Sequence, residues 1–137
     1  MEINSIAVIV ATILAQAVGF VWYSPMLFFK KWATLSGFSE SDLNESKNKG
    51  MAKTLTLSVL STLIMVYVMA YLIDVLVIIT VKKAVVLTFL VWLGFIATTN
   101  IHEFLWSPKP KPWMLYVLNN GQMFVALLVA TLTLCYF

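Results

Sequence analysis

Apolar residues come in four long runs along this chain, and charged positions fall almost entirely between them. From Ile3 to Phe29 no residue is charged, a stretch longer than the roughly 20 apolar residues that carry a helix across a bilayer. A second run opens at Thr54 and meets its first charge at Asp74, near its end. The third runs from Ala84 to Trp106 and is closed by Ser107-Pro108. The fourth opens near Pro112, a residue suited to the first turn of a helix, and continues uncharged to Phe137. The pattern predicts a single all-α domain over residues 1–137, an integral membrane bundle of four transmembrane helices spanning about 3–29, 54–76, 84–106 and 112–136. Glu2 stands where a signal peptide would be basic, and the first run is too long for one, so the first span is expected to be retained.

The loop 30–53 has a pattern of its own. Ser39 followed three residues later by Asp42 has capping-box spacing, and Gly50 is a stop signal. A short helix from Glu40 to Lys49 is expected on the membrane surface, its approach anchored by Trp32, Leu35 and Phe38. A solvated connector is the plainer alternative. The ends of spans one and three also echo each other. Trp22-Tyr23-Ser24-Pro25 precedes Lys30, Lys31 and Trp32, and Trp106-Ser107-Pro108 precedes Lys109, Lys111 and Trp113. Proline disfavours helix in the residue before it, so both motifs mark helix ends. The echo fits two pseudo-repeated helical hairpins of the same orientation. It also fits the ordinary use of Trp, Ser and Pro wherever a helix meets the interface.

Composition sharpens this reading. Of the 137 residues, 61% are hydrophobic and 11% charged, against about 25% charged in an ordinary soluble domain, so the apolar faces must meet lipid. One cysteine, Cys135, and one histidine, His102, exclude an intrachain disulfide, a cysteine-cluster metal site and a histidine pair for haem or copper. No cofactor is expected. A net charge of +3 carried by lysine alone, with no arginine, is too sparse for nucleic acid and offers no bidentate fork for phosphate. The lysines do orient the chain. Lys30, Lys31, Lys47, Lys49, Lys53, Lys109 and Lys111 fall in loops one and three, against Lys82 and Lys83 on the other side. By the positive-inside rule loops one and three are cytoplasmic and both termini lie outside. Trp22, Tyr23, Trp32, Trp106 and Trp113 cluster at the same interface, as an aromatic belt should.

Two features within the spans carry chemistry or packing. Ala7, Ala11, Ala15 and Gly19 recur every four residues, a stripe that lets another helix approach closely. Ala126 and Ala130, with Gln122, make a weaker stripe on span four. The partner of either stripe could lie in the same chain or in a second copy. Polar residues, meanwhile, share a depth. Gln16, Asn100, Asn119 and Asn120, with Ser58, Ser61 and Thr62, all lie roughly 8–14 Å from the lysine-rich ends, at about 1.5 Å of rise per residue. Gln122 follows on the last helix, and His102 and Glu103 lie one turn from the end of the third. Unpaired amides in hydrocarbon cost several kcal/mol, so these groups must face each other or water. They are then either interhelical glue or the lining of a cavity or solute path. An ionisable residue within a span, here Glu103, favours a function, although near a helix end it can also reach water or a lysine.

Trp22-Tyr23-Ser24-Pro25, with Leu27-Phe28 and Lys31-Trp32, resembles the motif ending the first helix of a family of small four-helix bacterial membrane proteins, the domain-of-unknown-function family 1761. Trp92-Leu93-Gly94-Phe95-Ile96-Ala97-Thr98-Thr99 and Leu118-Asn119-Asn120-Gly121 resemble its second half, so the similarity covers nearly the whole chain. His102-Glu103 and Gln122-Met123 depart from the family pattern, and no site is carried over to them. The resemblance implies a four-helix protein of the bacterial cytoplasmic membrane and no particular activity. Three functions follow from the residues. The first is a small-solute or ion permease using Gln16, Asn100, Asn119, Asn120 and Gln122, with Glu103 titrating. The second is a scaffold or accessory subunit, a homo-oligomer or partner of another membrane protein, docking through Ala7, Ala11, Ala15 and Gly19. The third and weakest is a membrane enzyme using His102 and Glu103 as acid and base, which lacks a third catalytic group.

Overall fold

A computed structural model of the chain describes residues 2–48 and 50–137. It is helical throughout the described secondary structure: α1 Ser5–Trp22, α2 Phe29–Ser36, α3 Glu40–Asn48, α4 Ala52–Val75, α5 Val81–Val91, a π-helical stretch Trp92–Ala97, α6 Thr98–Leu105 and α7 Trp113–Tyr136. α5, the π-helical stretch and α6 run on without a break as one helix over Val81–Leu105. Four helices, Ser5–Trp22, Ala52–Val75, Val81–Leu105 and Trp113–Tyr136, are long and apolar enough to cross a membrane. The protein is a multi-pass helical membrane bundle. Loops one and three define its lysine-rich end, and the turn 76–80 lies at the opposite end.

The first span is shorter than the uncharged run suggests. Asn4 starts it, its side-chain oxygen accepting from the backbone of Ile6 and Ala7 at 3.0 and 3.2 Å. The helix stops at Trp22 instead of running to Phe29. Pro25 cannot continue the ladder, and Ser24 turns its hydroxyl back onto the Val21 carbonyl at 2.7 Å. The chain then doubles through Tyr23–Phe28 into α2, an element that uncharged length alone could not reveal. Gly37, at φ 77°, ends α2 in the left-handed conformation that glycine accepts without strain. The helix expected from Glu40 is present. Ser39 N–H donates to the Asp42 carboxylate at 2.9 Å, and Asp42 N–H donates to the Ser39 hydroxyl at 3.2 Å. Its expected last residue, Lys49, lies outside the described residues.

Packing is organised around the fourth span, which touches every other span and α2. Ala11 and Ala15 of α1, Val66 and Ala70 of α4, and Ala126 and Ala130 of α7 form one buried cluster. The small-residue stripe of the first helix is therefore filled from inside the same chain, and the stripes on α1 and α7 mesh with each other. Their register runs antiparallel. Ala15 lines one hollow with Ala126, a Cβ on Gly19 would stand 3.4 Å from Gln122 Nε2, and Trp22 Nε1 reaches the Leu118 carbonyl at 3.1 Å. Large residues point the other way: Ile6, Ile13 and Ile64 are exposed, as lipid-facing side chains should be.

The second and third spans meet at the turn end, where Met69, Leu87 and Leu127 are buried with Leu72, Ile73 and Ile78 around them. Towards the lysine-rich end a hollow of about 330 Å³ separates Ser61, Thr62 and Met65 from Phe95, Ile96 and Asn100. The two ends thus differ in chemistry: apolar side chains cluster at the turn end, and amides and hydroxyls gather towards the lysine-rich end. The sequence echo ends both helices alike, α1 at Trp22 and α6 at Leu105, each three residues before its proline. The tryptophans of the echo differ, since Trp22 is half-buried and bonded whereas Trp106 is 83% exposed.

Ala11 is fully buried, so Ala11→Leu overpacks the seam and should lower stability by about 1–3 kcal/mol. Unfolding in mixed detergent–dodecyl sulfate micelles checks this; a fully stable variant that only changes oligomer size would move the seam to a contact between copies. A second expectation concerns Asp42, whose carboxylate is held below its usual pKa of 3.8, first by the Ser39 backbone N–H and then by the Ser39 hydroxyl. A depressed acid stabilises the folded form above its ordinary pKa and loses that contribution as pH falls through the lowered value. In an NMR titration the Asp42 midpoint should lie below 3.8 and rise in Ser39→Ala, which removes the hydroxyl donor.

Candidate functional site

The polar residues that share a depth in sequence form two knots and a cleft. In the first hairpin, Gln16 Nε2 on α1 donates to the Ser58 carbonyl at 3.1 Å and the Ser58 hydroxyl at 3.3 Å on α4, and also to the Thr62 hydroxyl. Thr62 in turn donates to the Ser58 carbonyl at 3.0 Å, so this knot tightens one turn of α4 against α1. The second knot joins the third and fourth spans. Asn100 Nδ2 donates to Asn120 Oδ1 at 3.0 Å, and Asn120 Nδ2 donates to the Tyr116 carbonyl at 2.9 Å. Tyr116 returns its hydroxyl to the Ala97 carbonyl, and Trp92 Nε1 donates to the Asn120 carbonyl at 2.9 Å. The first and fourth spans are linked at the same level, by Trp22 to the Leu118 carbonyl and by the Tyr23 hydroxyl donating to Asn119 Oδ1 at 2.8 Å.

The π-helical stretch positions much of this. A π turn shifts the hydrogen-bond register and leaves backbone groups to find other partners. Ala97, its last residue, is buried and accepts from Tyr116, while the Thr98 hydroxyl turns back to the Gly94 carbonyl at 2.9 Å. Asn120 is 4% exposed, and among the described residues no buried side-chain nitrogen or oxygen lacks a partner. Much of the layer is therefore interhelical glue.

The same layer also borders open space. Asn100, Asn119, Asn120, Glu103, Lys111 and Met123 border a hollow of about 170 Å³ at the lysine-rich end of spans three and four. Asn100 and Met123 also border the hollow of about 330 Å³ between spans two and three, which Gln122 enters from below. Gln122 and Thr62 border a third hollow of about 410 Å³, with Gln16, Gly19 and Tyr23. Neighbouring hollows share lining residues, Thr62 and Gln122 in one case and Asn100 and Met123 in the other, so together they form an amide-lined cleft region that reaches Glu103. His102 is exposed and does not border these hollows, whereas Glu103 stands at the rim together with Lys111. Ser24 and Ser107 serve their own turns, Ser107 donating to the Lys109 carbonyl at 2.9 Å, and Pro25, Trp106 and Pro108 face outward. Tyr116 and Trp92, which belong to the network, were not evident as polar positions. The one available signal for Tyr116 is its place four residues before Asn120 on the same face.

Chemically the cleft offers neutral donors and acceptors with one acid and one base at its rim. Among the described residues no cluster of three His, Cys, Asp or Glu side chains could hold a metal ion. Such a lining suits recognition by hydrogen bonds.

Four apolar helices around a buried amide layer define the class, a helical bundle protein of the membrane. The chain belongs to the family described as Protein of unknown function (DUF1761), whose model matches residues 6–135. No curated protein and no solved structure matches it.

Because Asn100 and Asn120 bond each other, Asn100→Ala and Asn120→Ala should be coupled. A double-mutant cycle on unfolding should give an interaction energy of about 0.6 kcal/mol, and no more than about 1.7, as for other hydrogen bonds between membrane helices. Additive losses would mean that the pair contributes nothing beyond packing.

Proposed function

We propose that this protein is a small-solute permease of the bacterial cytoplasmic membrane, and that a hydrogen-bonding solute occupies the amide-lined cleft from the lysine-rich, cytoplasmic side. The observation that carries this reading is the chemical asymmetry of the bundle. Gln16, Asn100, Asn119, Asn120 and Gln122 border neighbouring hollows in one half, whereas the hollows of the other half are walled mainly by apolar side chains such as Leu63, Ile78 and Leu90. Hollows bordered by several convergent amides are where a small hydrogen-bonding solute would be held. Glue alone needs no cavity, because paired amides pack best with none. Glu103 and Lys111 border the same hollow and give its rim one acidic and one basic side chain.

The accessory-subunit reading relied on Ala7, Ala11, Ala15 and Gly19 as a docking face. That stripe packs within the chain, so the reading loses its surface. An acid–base pair of His102 and Glu103 fares no better, since only Glu103 borders the cleft.

Water access tests the proposal directly. With Cys135→Ser as background, single cysteines at Gln16, Asn100, Asn119 and Glu103 should react with a membrane-impermeant maleimide from the cytoplasmic side. Protection of every position except Glu103 would sink the idea. In proteoliposomes loaded with small polar solutes, Glu103→Gln and Asn119→Leu should reduce any flux that the parent protein supports; equal flux would exclude the cleft as its route.

A further inference from the structure

A second recess lies at the opposite end of the bundle, outside the amide layer. The turn between spans two and three and the first turns of α5 border an open groove of about 570 Å³, lined by Leu76, Ile78, Val86 and Leu90 together with Lys82 and Lys83. On α5 these residues follow helical spacing, so the groove descends along one flank for about 12 Å. The turn that builds its upper wall is held in an unusual way. Val77 adopts φ 52°, which a β-branched residue rarely does, and Ile78 N–H closes on the Ile73 carbonyl at 2.9 Å. This strained cap, where glycine is the usual residue, places Leu76 and Ile78 beside α5.

Charge distinguishes this groove from an ordinary lipid-facing surface. Lys82 and Lys83 are exposed and sit in the first turn of α5, which contains no acidic residue. The helix dipole makes that end positive even with the Lys83 N–H capped by the Thr80 hydroxyl at 3.2 Å, so two ammonium groups there add to the charge and do not neutralise it. None of the lining residues is acidic; Asp74, on the last turn of α4, does not border the groove. In a bilayer a recess at this depth is filled by lipid, and its charge selects which lipid.

We propose that the groove binds an anionic phospholipid, its phosphate held by Lys82 and Lys83 and one acyl chain lying along Val86 and Leu90. A zwitterionic headgroup would bring its own ammonium towards the lysines, and free phosphate would leave the apolar wall unused.

Native mass spectrometry of the full chain, released from bilayers of phosphatidylglycerol and phosphatidylcholine with identical acyl chains, tests this. Phosphatidylglycerol should be retained preferentially, and Lys82→Gln or Lys83→Gln should each lower its retention about fivefold, the attraction typical of one lysine near an anionic surface. Lys30→Gln should leave retention unchanged, and inorganic phosphate should not displace the lipid. Equal retention of the two lipids, displacement by phosphate, or a preference that survives Lys82→Gln/Lys83→Gln would each overturn the assignment.

Discussion

The close approach of the first and fourth spans sets the geometry on which the other contacts depend. Between helices in lipid the hydrophobic effect gives little drive, so association rests on van der Waals contact and on hydrogen bonds across the interface. Ala11 and Ala15 share a buried cluster with Ala126 and Ala130, and their methyl side chains allow that contact. Once the helices are this near, groups at the lysine-rich end come within reach. Trp22 meets the Leu118 carbonyl and Tyr23 meets Asn119. Gly19 leaves room for Gln122, and Gly121 for the Trp22 ring, since a Cβ on either glycine would stand 3.4 Å from its neighbour.

That contact also makes α7 the axis of the bundle, with the other spans arranged around it. The first hairpin is tied by Gln16 to Ser58 and Thr62, and the second by Asn100 to Asn120. Spans two and three share the Met69, Leu87 and Leu127 cluster near their connecting turn, and a hollow separates them further down. Side-chain choice sets this contrast: on α4, Met69 and Leu72 are large and reach the cluster with Leu127 of α7, whereas Ser61 and Thr62 are small and polar and border the hollow.

The π-helical stretch Trp92–Ala97 belongs to this design. It interrupts the regular ladder of the third span at the level of the amide layer. Trp92 and Ala97 at its two ends are the residues that bond to α7, through Asn120 and Tyr116. Phe95 at its middle is 75% exposed and also borders the cleft. The irregular segment therefore ties the third span to the axis helix and forms part of the cleft wall.

Much of the fold was legible without coordinates because in lipid a backbone must satisfy itself locally, and uncharged length then reads directly as helix. The membrane bundle of four spans, the capping box of Ser39 and Asp42, and the shared depth of Gln16, Asn100, Asn119 and Asn120 all follow from local spacing. Other features depend on what approaches from elsewhere in the chain. Ala7, Ala11, Ala15 and Gly19 announce a close contact and cannot name the partner, since a methyl stripe accepts any helix; the fold supplies α7 from within. Amides at one depth are equally compatible with pairing and with a wet cavity. Three-dimensional packing divides them, pairing Asn100 with Asn120 while leaving Gln122 and Glu103 at the cleft. The early end of the first helix at Trp22 and the π stretch lie beyond reading by hydropathy, because an apolar residue in a turn and one in a helix are equally at home in lipid.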